Sequence, residues 1–331
     1  MRIAEIDTPA LLVEADALDR NIGVMAEALP RDRLRPHVKA HKCTSLARRQ
    51  AESGHSGFTC ATIRECEGMS AAGLGQDLLL ANEVLDARRL GVLIESGARV
   101  TLAVDSEETI AAAAEGGVRE VVIDVNVGLP RCGCPPDDAG RLADIARHHS
   151  LDVRGVMGYE GHVVGLVDAA ERAEQCQAAM ELLLAAHADV GGDLITAGGT
   201  GTYALNTWAN EIQAGSYALM DTAYGKLGLP FEQAAYVLAT VISSSPSWSV
   251  GDAGLKAFGM DHGNPSLTGN AEGQVLFCSD EHVTIAPSRR VGEQIFLAPA
   301  HIDPTMAYHE RLYLFSGDDV VDIWPIDLRG W

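Results

Sequence analysis

Short apolar runs rich in β-branched residues alternate with helix-forming stretches through the first two-thirds of this chain. The apolar runs predict eight strands, at 34–39, 57–62, 77–82, 99–104, 120–127, 153–159, 194–198 and 212–219. The stretches between them carry apolar residues three or four apart and predict helices at 42–53, 63–73, 86–96, 106–116, 137–149 and 168–189. This alternation predicts a (β/α)8 barrel, with a doubly wound parallel sheet as the alternative.

The pattern changes after about residue 230. There, short β-type runs are separated by Gly, Pro, Asn and Asp, and convincing helical stretches are lacking. We therefore predict a barrel domain at 8–230 and a C-terminal β domain at 231–331, to which residues 1–7 are added. The segment "GKLGLP" at 225–230 is predicted to be a hinge or linker.

The chain is strongly acidic, with 25 Lys and Arg against 46 Asp and Glu and a formal net charge of −21 over 331 residues. This argues against a nucleic-acid partner or an anionic membrane, since both require a basic surface. No apolar stretch reaches the length of a membrane span, and the N-terminus lacks the pattern of a signal peptide. The seven cysteines include no Cys-x-x-Cys pair, which fits a reducing, cytoplasmic location.

The stretch "LRPHVKAHK" at 34–42 contrasts with this acidic background, because it carries the basic residues Arg35, His37, Lys39, His41 and Lys42. The active site of a (β/α)8 barrel lies at the carboxyl ends of its strands, and Lys39 ends the first predicted strand. A lysine that attacks an aldehyde or acts as a base must lose a proton, and burial and nearby cations favour that loss. Strand alternation would place Lys39 on one face with Arg35, His37 and His41, whereas Lys42 would begin the next helix.

Two small-residue loops follow the last two predicted strands: "AGGTGTY" at 197–203 and "AGSY" at 214–217. Such loops expose N–H donors that can bind a phosphate, and barrels often bind phosphate after strands seven and eight. A phosphate site opposite a lysine on strand one suggests pyridoxal phosphate (PLP) held as a Schiff base on Lys39. A Rossmann glycine loop is disfavoured, because these loops come late in the chain.

A candidate metal pair lies in the segment "PAHIDPT" at 299–305. His301 and Asp303 would alternate along a strand, so both side chains could face one ion. One imidazole and one carboxylate with open positions suit a divalent cation such as Mn²⁺ or Mg²⁺, with Zn²⁺ as an alternative.

The chain resembles the D-threonine aldolase/D-serine dehydratase family in the segments "IDTPALLVEADALDRNI", "RPHVKAHK", "GYEGH", "GGTGTY", "PAHIDPT" and "VVDIWPIDLRG". The resemblance runs from about residue 6 to the C-terminus. It implies a PLP enzyme with an alanine-racemase-like barrel and a C-terminal β domain, in a family that commonly dimerises. A His-x-Asp pair, in place of His-x-Cys, favours the aldolase branch.

The resemblance also implies roles for individual residues. Lys39 would form the Schiff base, and Arg131 would contact the cofactor near its phenolic oxygen. Tyr159 would lie close to the cofactor ring, with His162 beside it. Gln213 would face the pyridine nitrogen where alanine racemases place an arginine, which would leave the ring a weaker electron sink. The remaining cofactor contacts would come from Gly199, Thr200, Gly215, Ser216 and Tyr217.

The implied reaction is the retro-aldol cleavage of a β-hydroxy-D-α-amino acid to glycine and an aldehyde. A metal on His301 and Asp303 would bind the β-hydroxyl and lower its pKa. The base stays open between His162, a metal-bound hydroxide and Lys39. The alternatives are a 3-hydroxy-D-aspartate aldolase, a dehydratase of D-serine or 3-hydroxyaspartate, and a PLP-binding regulatory protein without activity.

Overall fold

The computed structural model describes residues 1–268 and 273–331. The strands within these residues are β1 Ala10–Glu14, β2 Phe58–Cys60, β3 Leu78–Leu80, β4 Val100–Val104, β5 Glu120–Asp124, β6 Asp152–Gly158, β7 Leu194–Ala197, β8 Glu211–Ile212, β9 Ala235–Ser244, β10 Ser249–Gly251, β11 Ser266–Leu267, β12 Gln274–Cys278, β13 Val283–Ala286, β14 Gln294–Ala298, β15 Arg311–Ser316 and β16 Asp319–Pro325. The helices are α1 Ala15–Ala28, α2 Thr44–Glu52, α3 Ile63–Ala71, α4 Arg88–Glu95, α5 Glu107–Glu115, α6 Ala139–His148, α7 Ala169–Val190 and α8 Ile302–Tyr308. In this described part of the chain, no helix combines the length and the apolar character needed to cross a bilayer.

The chain divides into two compact units, which are described separately. The barrel unit comprises Met25–Lys39, Leu46–Gly215 and Leu328–Trp331. The sheet unit comprises Met1–Val24, Ala40–Ser45 and Ser216–Asp327.

The barrel unit is built on a parallel sheet in which strands β2 to β8 follow one another in chain order. A segment before β2 closes the ring, because Leu34 forms a parallel bridge with Ile212 of β8 and His37 forms one with Thr59 of β2. The backbone N–H of Thr59 donates to Pro36 O at 2.9 Å, which continues this pairing. The segment therefore takes the place of the first strand, and the predicted (β/α)8 barrel is confirmed.

Burial on both faces explains why the barrel strands are read so easily from the sequence. Every residue of β3 and β4 is buried, as expected where a parallel sheet has a packed interior and an outer layer of helices. The predicted helices α2 to α7 are all present, with ends that move only slightly. Three begin at side-chain caps: Thr62 accepts from Glu65 N–H before α3, Ser106 from Thr109 N–H before α5, and Asp168 from Ala170 and Glu171 N–H before α7.

Ion pairs fill part of the barrel at the amino ends of its strands. Arg35 is buried, and its guanidinium lies 2.8 Å from both Asp77 Oδ2 and Glu211 Oε1. Arg154 adds contacts to Asp77 at 3.4 Å and to Glu120 at 3.6 Å. Burial by itself would lower the pKa of Arg35, but the two carboxylates beside it raise the pKa above its ordinary value.

The expected sharing of one face between Arg35 and Lys39 is wrong. Strand alternation stops after His37, because Val38–Ala40 forms a 3-10 turn. The guanidinium of Arg35 instead pairs with Asp77, the residue before β3, and with Glu211, the first residue of β8.

The ion pairs that Asp77 forms with Arg35 and Arg154 predict that the stability of the fold depends on pH. Burial acts to raise the pKa of Asp77, but Arg35 and Arg154 outweigh it, so the pKa lies below its ordinary 3.8. The ionised carboxylate therefore stabilises the fold above that ordinary value, and the contribution is lost as the pH falls through the lower folded-state pKa. We expect Asp77→Asn to cost about 2 kcal/mol at neutral pH and less as the pH falls below about 4. Thermal unfolding from pH 7 to pH 3 measures this, with the exposed Asp152→Asn as control. Parallel melting curves for wild type and Asp77→Asn across this range would contradict it.

The sheet unit contains the order β12-β13-β10-β9-β1-β15-β16, with β14 also paired to β9 and β11 paired to β14. Strand β1 lies parallel to β15, in a register that sets Leu11 opposite Leu312. Residues Ala10–Glu14, which the sequence prediction placed in the barrel domain, therefore pair within the other sheet. The N-terminus pairs there as well, because Ile3 N–H donates to Asp318 O at 2.9 Å. The domain boundary near residue 230 stays a prediction.

Candidate active site

Lys39 lies in the 3-10 turn Val38–Ala40, directly after the segment that closes the barrel. It is half-buried between the buried Val38 and Ala40, and its backbone N–H donates to His37 Nδ1 at 3.5 Å. The predicted strand 34–39 is thus too long, but Lys39 keeps its predicted place at a carboxyl strand end. That is the end at which barrel enzymes carry their catalytic groups.

The two basic residues after Lys39 have local structural roles. His41 is fully buried, and its Nδ1 accepts a hydrogen bond from Cys43 N–H at 3.1 Å. Lys42 adopts a left-handed backbone with φ of 49°, and α2 begins two residues later at Thr44. The basic cluster of the sequence therefore separates into residues with different surroundings.

Arg131 and Tyr159 meet near the carboxyl ends of β5 and β6. The guanidinium carbon of Arg131 lies 5.4 Å from the centroid of the Tyr159 ring, within the range of a cation–π contact. Two hydrogen bonds hold the loop that carries Arg131: Asn126 Nδ2 donates to Leu129 O within the loop at 2.8 Å, and Gly133 N–H donates to Asp105, which follows β4, at 3.1 Å. The predicted grouping of Arg131 with Tyr159 is thus present in the fold, and the role of the pair stays a prediction.

His162 packs its exposed imidazole against the same loop. A Cβ atom at Gly128 would lie 2.8 Å from Cε1 of His162, and Gly128 has a φ of +129°. Both facts require glycine at this position. An imidazole, an aromatic ring and a guanidinium thus lie near the carboxyl ends of the neighbouring strands β5 and β6.

Acidic groups surround the base of this loop. Burial, with the nearby carboxylate of Glu83 as the next cause, raises the pKa of Asp124 well above its ordinary value. Asp105 raises it further, whereas Arg131 acts in the opposite direction. Arg131 therefore supplies positive charge to a region of the barrel that is otherwise acidic.

Glu160 is an important residue that the sequence interpretation missed. It is fully buried, and its carboxylate accepts from Gly198 N–H at 3.1 Å, from the Thr202 hydroxyl at 2.7 Å and from Asn206 Nδ2 at 3.3 Å. It thereby fastens the small-residue loop at 198–206 to the end of β6. The sequence does contain a signal for this residue, because Glu160 lies between the two candidate site residues Tyr159 and His162 in "GYEGH".

Packing also explains the glycines of that loop. A Cβ atom at Gly199 would lie 3.2 Å from Val164 Cγ1 and 3.4 Å from Tyr159 Cε2, and one at Gly201 would collide with the Val164 carbonyl. The Gly199 N–H donates to Thr202 Oγ1 at 3.2 Å, so part of the loop's donor capacity is used internally. Thr200 is buried at the centre of the loop. Tight packing of the loop therefore explains why Gly199 and Gly201 are glycines, in addition to any role of the loop in binding a phosphate.

We expect Glu160→Gln to weaken PLP binding about 10- to 100-fold, because a charge-assisted anchor worth about 1.5–3 kcal/mol is lost from the loop. Titration of the cofactor-free protein with PLP, followed by absorption, measures this affinity. The exposed Glu174 on α7 gives the control Glu174→Gln. Equal affinity in the two variants would contradict the anchoring role.

Gln213 follows β8 and forms a hydrogen bond within the barrel unit. Its Nε2 donates to Thr196 Oγ1 at 2.9 Å, and Thr196 in turn donates to Glu211 at 2.7 Å. The chain passes from the barrel unit to the sheet unit after Gly215. The proposed contact of Gln213 with a pyridine nitrogen stays a prediction.

In the sheet unit, His301 and Asp303 lie at the start of helix α8. The expected strand alternation is wrong here, because His301 precedes the helix and Asp303 lies in its first turn. This turn is held by Asp221, which accepts from Ile302 N–H at 3.0 Å, and burial raises the pKa of Asp221. Asp303 Oδ1 accepts from the Ser216 hydroxyl at 3.1 Å. Ser216, which was predicted as a phosphate contact, thus donates a hydrogen bond to the predicted metal ligand Asp303. The neighbouring Tyr217 is buried, and its ring packs against that of Phe231.

A cluster around His301 includes two residues that the sequence interpretation missed. His301 Nδ1 lies 2.7 Å from Asp261 Oδ2, and the rings of His262 and His301 are stacked with centroids 4.2 Å apart. Potential ligand atoms of Asp261, His262 and His301 all lie within 4.8 Å of one another, and Asp303 is not a member of this group. Burial is the largest single influence on the pKa of Asp261 and acts to raise it, but the hydrogen bond to His301 and the nearby His301 and His262 rings together lower the pKa below its ordinary value.

Comparison with known families agrees with the two-part fold. Residues 13–223 match the family described as alanine racemase, N-terminal domain. The chain belongs to this family. In this member of the alanine racemase N-terminal family, residues 234–315 also match a putative serine dehydratase domain. The family resemblance predicted from the sequence is therefore confirmed.

Relatives of this family member are similar along nearly its whole length. A D-threonine aldolase from Arthrobacter sp. is 33% identical, over 99% of this chain and 94% of the relative. A 3-hydroxy-D-aspartate aldolase from Paracoccus denitrificans is 31% identical, over 99% of this chain and 93% of the relative. The crystal structure of a D-threonine aldolase from Filomicrobium marinum superposes with a TM-score of 0.93 at 33% identity, covering 99% of this chain and 97% of that one.

Proposed function

We propose that this chain is a PLP- and divalent-metal-dependent lyase that cleaves β-hydroxy-D-α-amino acids to glycine and an aldehyde. The observation that carries the proposal is the full-length likeness to a D-threonine aldolase, with a TM-score of 0.93 over 99% of this chain. The candidate residues supply the groups that this chemistry needs: an amine, an imidazole, a guanidinium and a carboxylate–imidazole pair.

The barrel residues fit the cofactor by their chemistry. Lys39 supplies a primary amine at a carboxyl strand end, Tyr159 an aromatic face, and Arg131 a cation 5.4 Å from that ring. The buried Thr200 lies in the loop that Glu160 fastens through Gly198 and Thr202. In the proposal, Lys39 holds the cofactor covalently and this loop receives its phosphate. When bound, PLP supplies an electron sink for carbon–carbon cleavage.

We assign the proton transfer from the substrate hydroxyl to His162. Its imidazole is exposed, whereas His41 is fully buried and used within its own turn. The approach of Gly128 to the His162 ring restricts where that ring can move. An imidazole nitrogen of His162 would accept the β-hydroxyl proton, as a positioned general base does in many enzymes.

The sheet-unit residues fit a divalent ion. His301 supplies an imidazole and Asp303 a carboxylate whose Oδ1 is held by the Ser216 hydroxyl at 3.1 Å. This donor set suits Mn²⁺, Mg²⁺ or Zn²⁺. When bound, such an ion supplies Lewis acidity that makes a hydroxyl easier to deprotonate. A homodimer and a cytoplasmic location also stay predictions for this protein.

Product analysis tests the proposal. The purified enzyme, supplied with PLP and Mn²⁺, is incubated with D-threonine, D-phenylserine, 3-hydroxy-D-aspartate and D-serine. Glycine with an aldehyde is the expected product pair. Activity on 3-hydroxy-D-aspartate alone would select the second aldolase named among the relatives. Ammonia with a keto acid would overturn the proposal in favour of the dehydratase alternative, since a D-threo-3-hydroxyaspartate dehydratase is 29% identical over 98% of this chain.

A further inference from the structure

The loop that carries Asp261 and His262 lies beside the predicted metal ligand His301. We propose that both residues are direct ligands of the same divalent ion, in a centre with two imidazoles that prefers Zn²⁺ or Co²⁺ over Mg²⁺. This inference deepens the proposed function and rests on its assignment of His301 as a ligand.

The distances are close to those of a metal centre. Asp261 Oδ2 lies 2.7 Å from His301 Nδ1 and 3.9 Å from His262 Nε2, so one carboxylate oxygen faces both rings. Bonds of about 2.1 Å place neighbouring ligand atoms of one ion roughly 3–3.4 Å apart. The first distance would open by less than about 1 Å and the second would close by a similar amount. The rings of His262 and His301 are stacked with planes 8° apart, and an imidazole binds an ion in its own plane. One ring must therefore also turn about its Cβ–Cγ bond before the three atoms meet on one ion.

The backbone beneath the cluster is closely packed. Gly259 forms an antiparallel bridge with His301, and its N–H donates to Thr305 Oγ1 at 3.0 Å. A Cβ atom at Gly259 would collide with the Pro304 ring and lie 3.2 Å from the His301 carbonyl oxygen. The Thr305 hydroxyl in turn donates to His301 O at 2.7 Å. The loop at 259–262 is thus fastened to the turn of His301, so the neighbourhood of the three side chains follows from the fold.

The ligand types define the preferred ion. Imidazole nitrogen favours Zn²⁺, Co²⁺ and similar ions, whereas Mg²⁺ favours oxygen ligands. One histidine and one aspartate discriminate little between these ions, but a second histidine shifts the preference towards Zn²⁺ and Co²⁺ and away from Mg²⁺. His262 is therefore the residue whose role most changes the chemistry of the centre.

One competing arrangement shares some of these contacts. Asp261 could accept from Nδ1–H of His301 and orient the ring, so that Nε2 of His301 binds the ion with Asp303. In that arrangement Asp261 influences affinity indirectly, and His262 does not touch the ion. The effect of removing His262 separates the two arrangements.

The test measures metal binding without substrate. Holoenzyme carrying PLP is stripped of metal, and Zn²⁺, Co²⁺ and Mg²⁺ are titrated by isothermal calorimetry. We expect His262→Ala to weaken Zn²⁺ and Co²⁺ binding by at least about 10-fold and Mg²⁺ binding by less than about 3-fold. His262→Gln retains a polar side chain of similar size and should show the same loss. The exposed His149→Ala is the control.

Electron spin echo spectroscopy of the Mn²⁺-loaded holoenzyme counts the coordinated imidazoles directly. Two nitrogen couplings are expected in wild type, and one in His262→Ala. Circular dichroism in metal-free buffer checks that each variant is folded.

Failure of the inference is distinguishable from failure of the proposed function. Unchanged Zn²⁺ affinity in both His262 variants, together with loss in Asp303→Ala, would overturn the inference and leave the proposed function in place. A His262-dependent Zn²⁺ site in an enzyme that cleaves fully without metal would support the inference and remove the metal from the proposed reaction. A wild-type holoenzyme that binds none of these ions would overturn the inference and the predicted metal requirement.

Discussion

Replacing Lys39 with alanine is expected to lower cleavage by at least about 10³-fold and to remove the visible absorption of protein-bound PLP. The amine is the group that would hold the cofactor covalently, and alanine supplies nothing in its place. The substitution leaves the buried neighbours Val38 and Ala40 in the 3-10 turn, so the fold should persist. Absorption spectra and turnover of the purified variant measure both effects.

The control for Lys39→Ala is another lysine with an exposed side chain. Lys226 lies in the 3-10 turn Tyr224–Leu227, and Lys226→Ala should keep both the spectrum and the turnover. An unchanged absorption band in Lys39→Ala would contradict the assignment of Lys39. Loss of the band in both variants would point to a general defect in cofactor binding.

Substitution of His301 or Asp303 by alanine is expected to reduce cleavage by about 10²- to 10³-fold while the PLP absorption stays, because a metal supplies several kcal/mol of charge stabilisation. We expect cleavage to be lost without loss of PLP because the predicted cofactor lysine, Lys39, belongs to the barrel unit, whereas His301 and Asp303 belong to the sheet unit. EDTA should reproduce the loss in wild type, and added Mn²⁺ should restore activity there.

The Ser216→Ala variant gives a graded comparison for the His301 and Asp303 variants, with PLP absorption recorded beside turnover because Ser216 is also a predicted cofactor contact. Ser216→Ala removes the hydroxyl that donates to Asp303 at 3.1 Å and leaves both predicted ligands in place. It should reduce activity less than either ligand variant does. Full wild-type turnover in metal-free buffer would contradict the metal role.

Most of the barrel could be predicted because its signals are local. Fully buried strands such as β3 and β4 read as continuous apolar runs, and the helices between them carry amphipathic patterns and capping residues. The failures occur where pairing is not local. Strand β1 pairs with β15, about three hundred residues later in the chain, so nothing near Ala10–Glu14 indicates its sheet. The last predicted strand, 212–219, shortens to Glu211–Ile212, because Ser216–Ala218 turns into a 3-10 helix.

The sequence by itself determined the family and the barrel with its C-terminal β domain, because motifs and hydrophobic periods are properties of neighbouring residues. It also supplied a list of candidate site residues, whose roles stay predictions. Only the tertiary structure decided which side chains meet. It placed Glu160 beneath the loop at 198–206, 42 residues from Thr202, and Asp261 beside His301, 40 residues away. It also drew Arg35 into ion pairs with Asp77 and Glu211. The physical reason is that hydrogen bonds and ion pairs depend on the path of the folded chain and on side-chain direction, neither of which is encoded in spacing along the sequence.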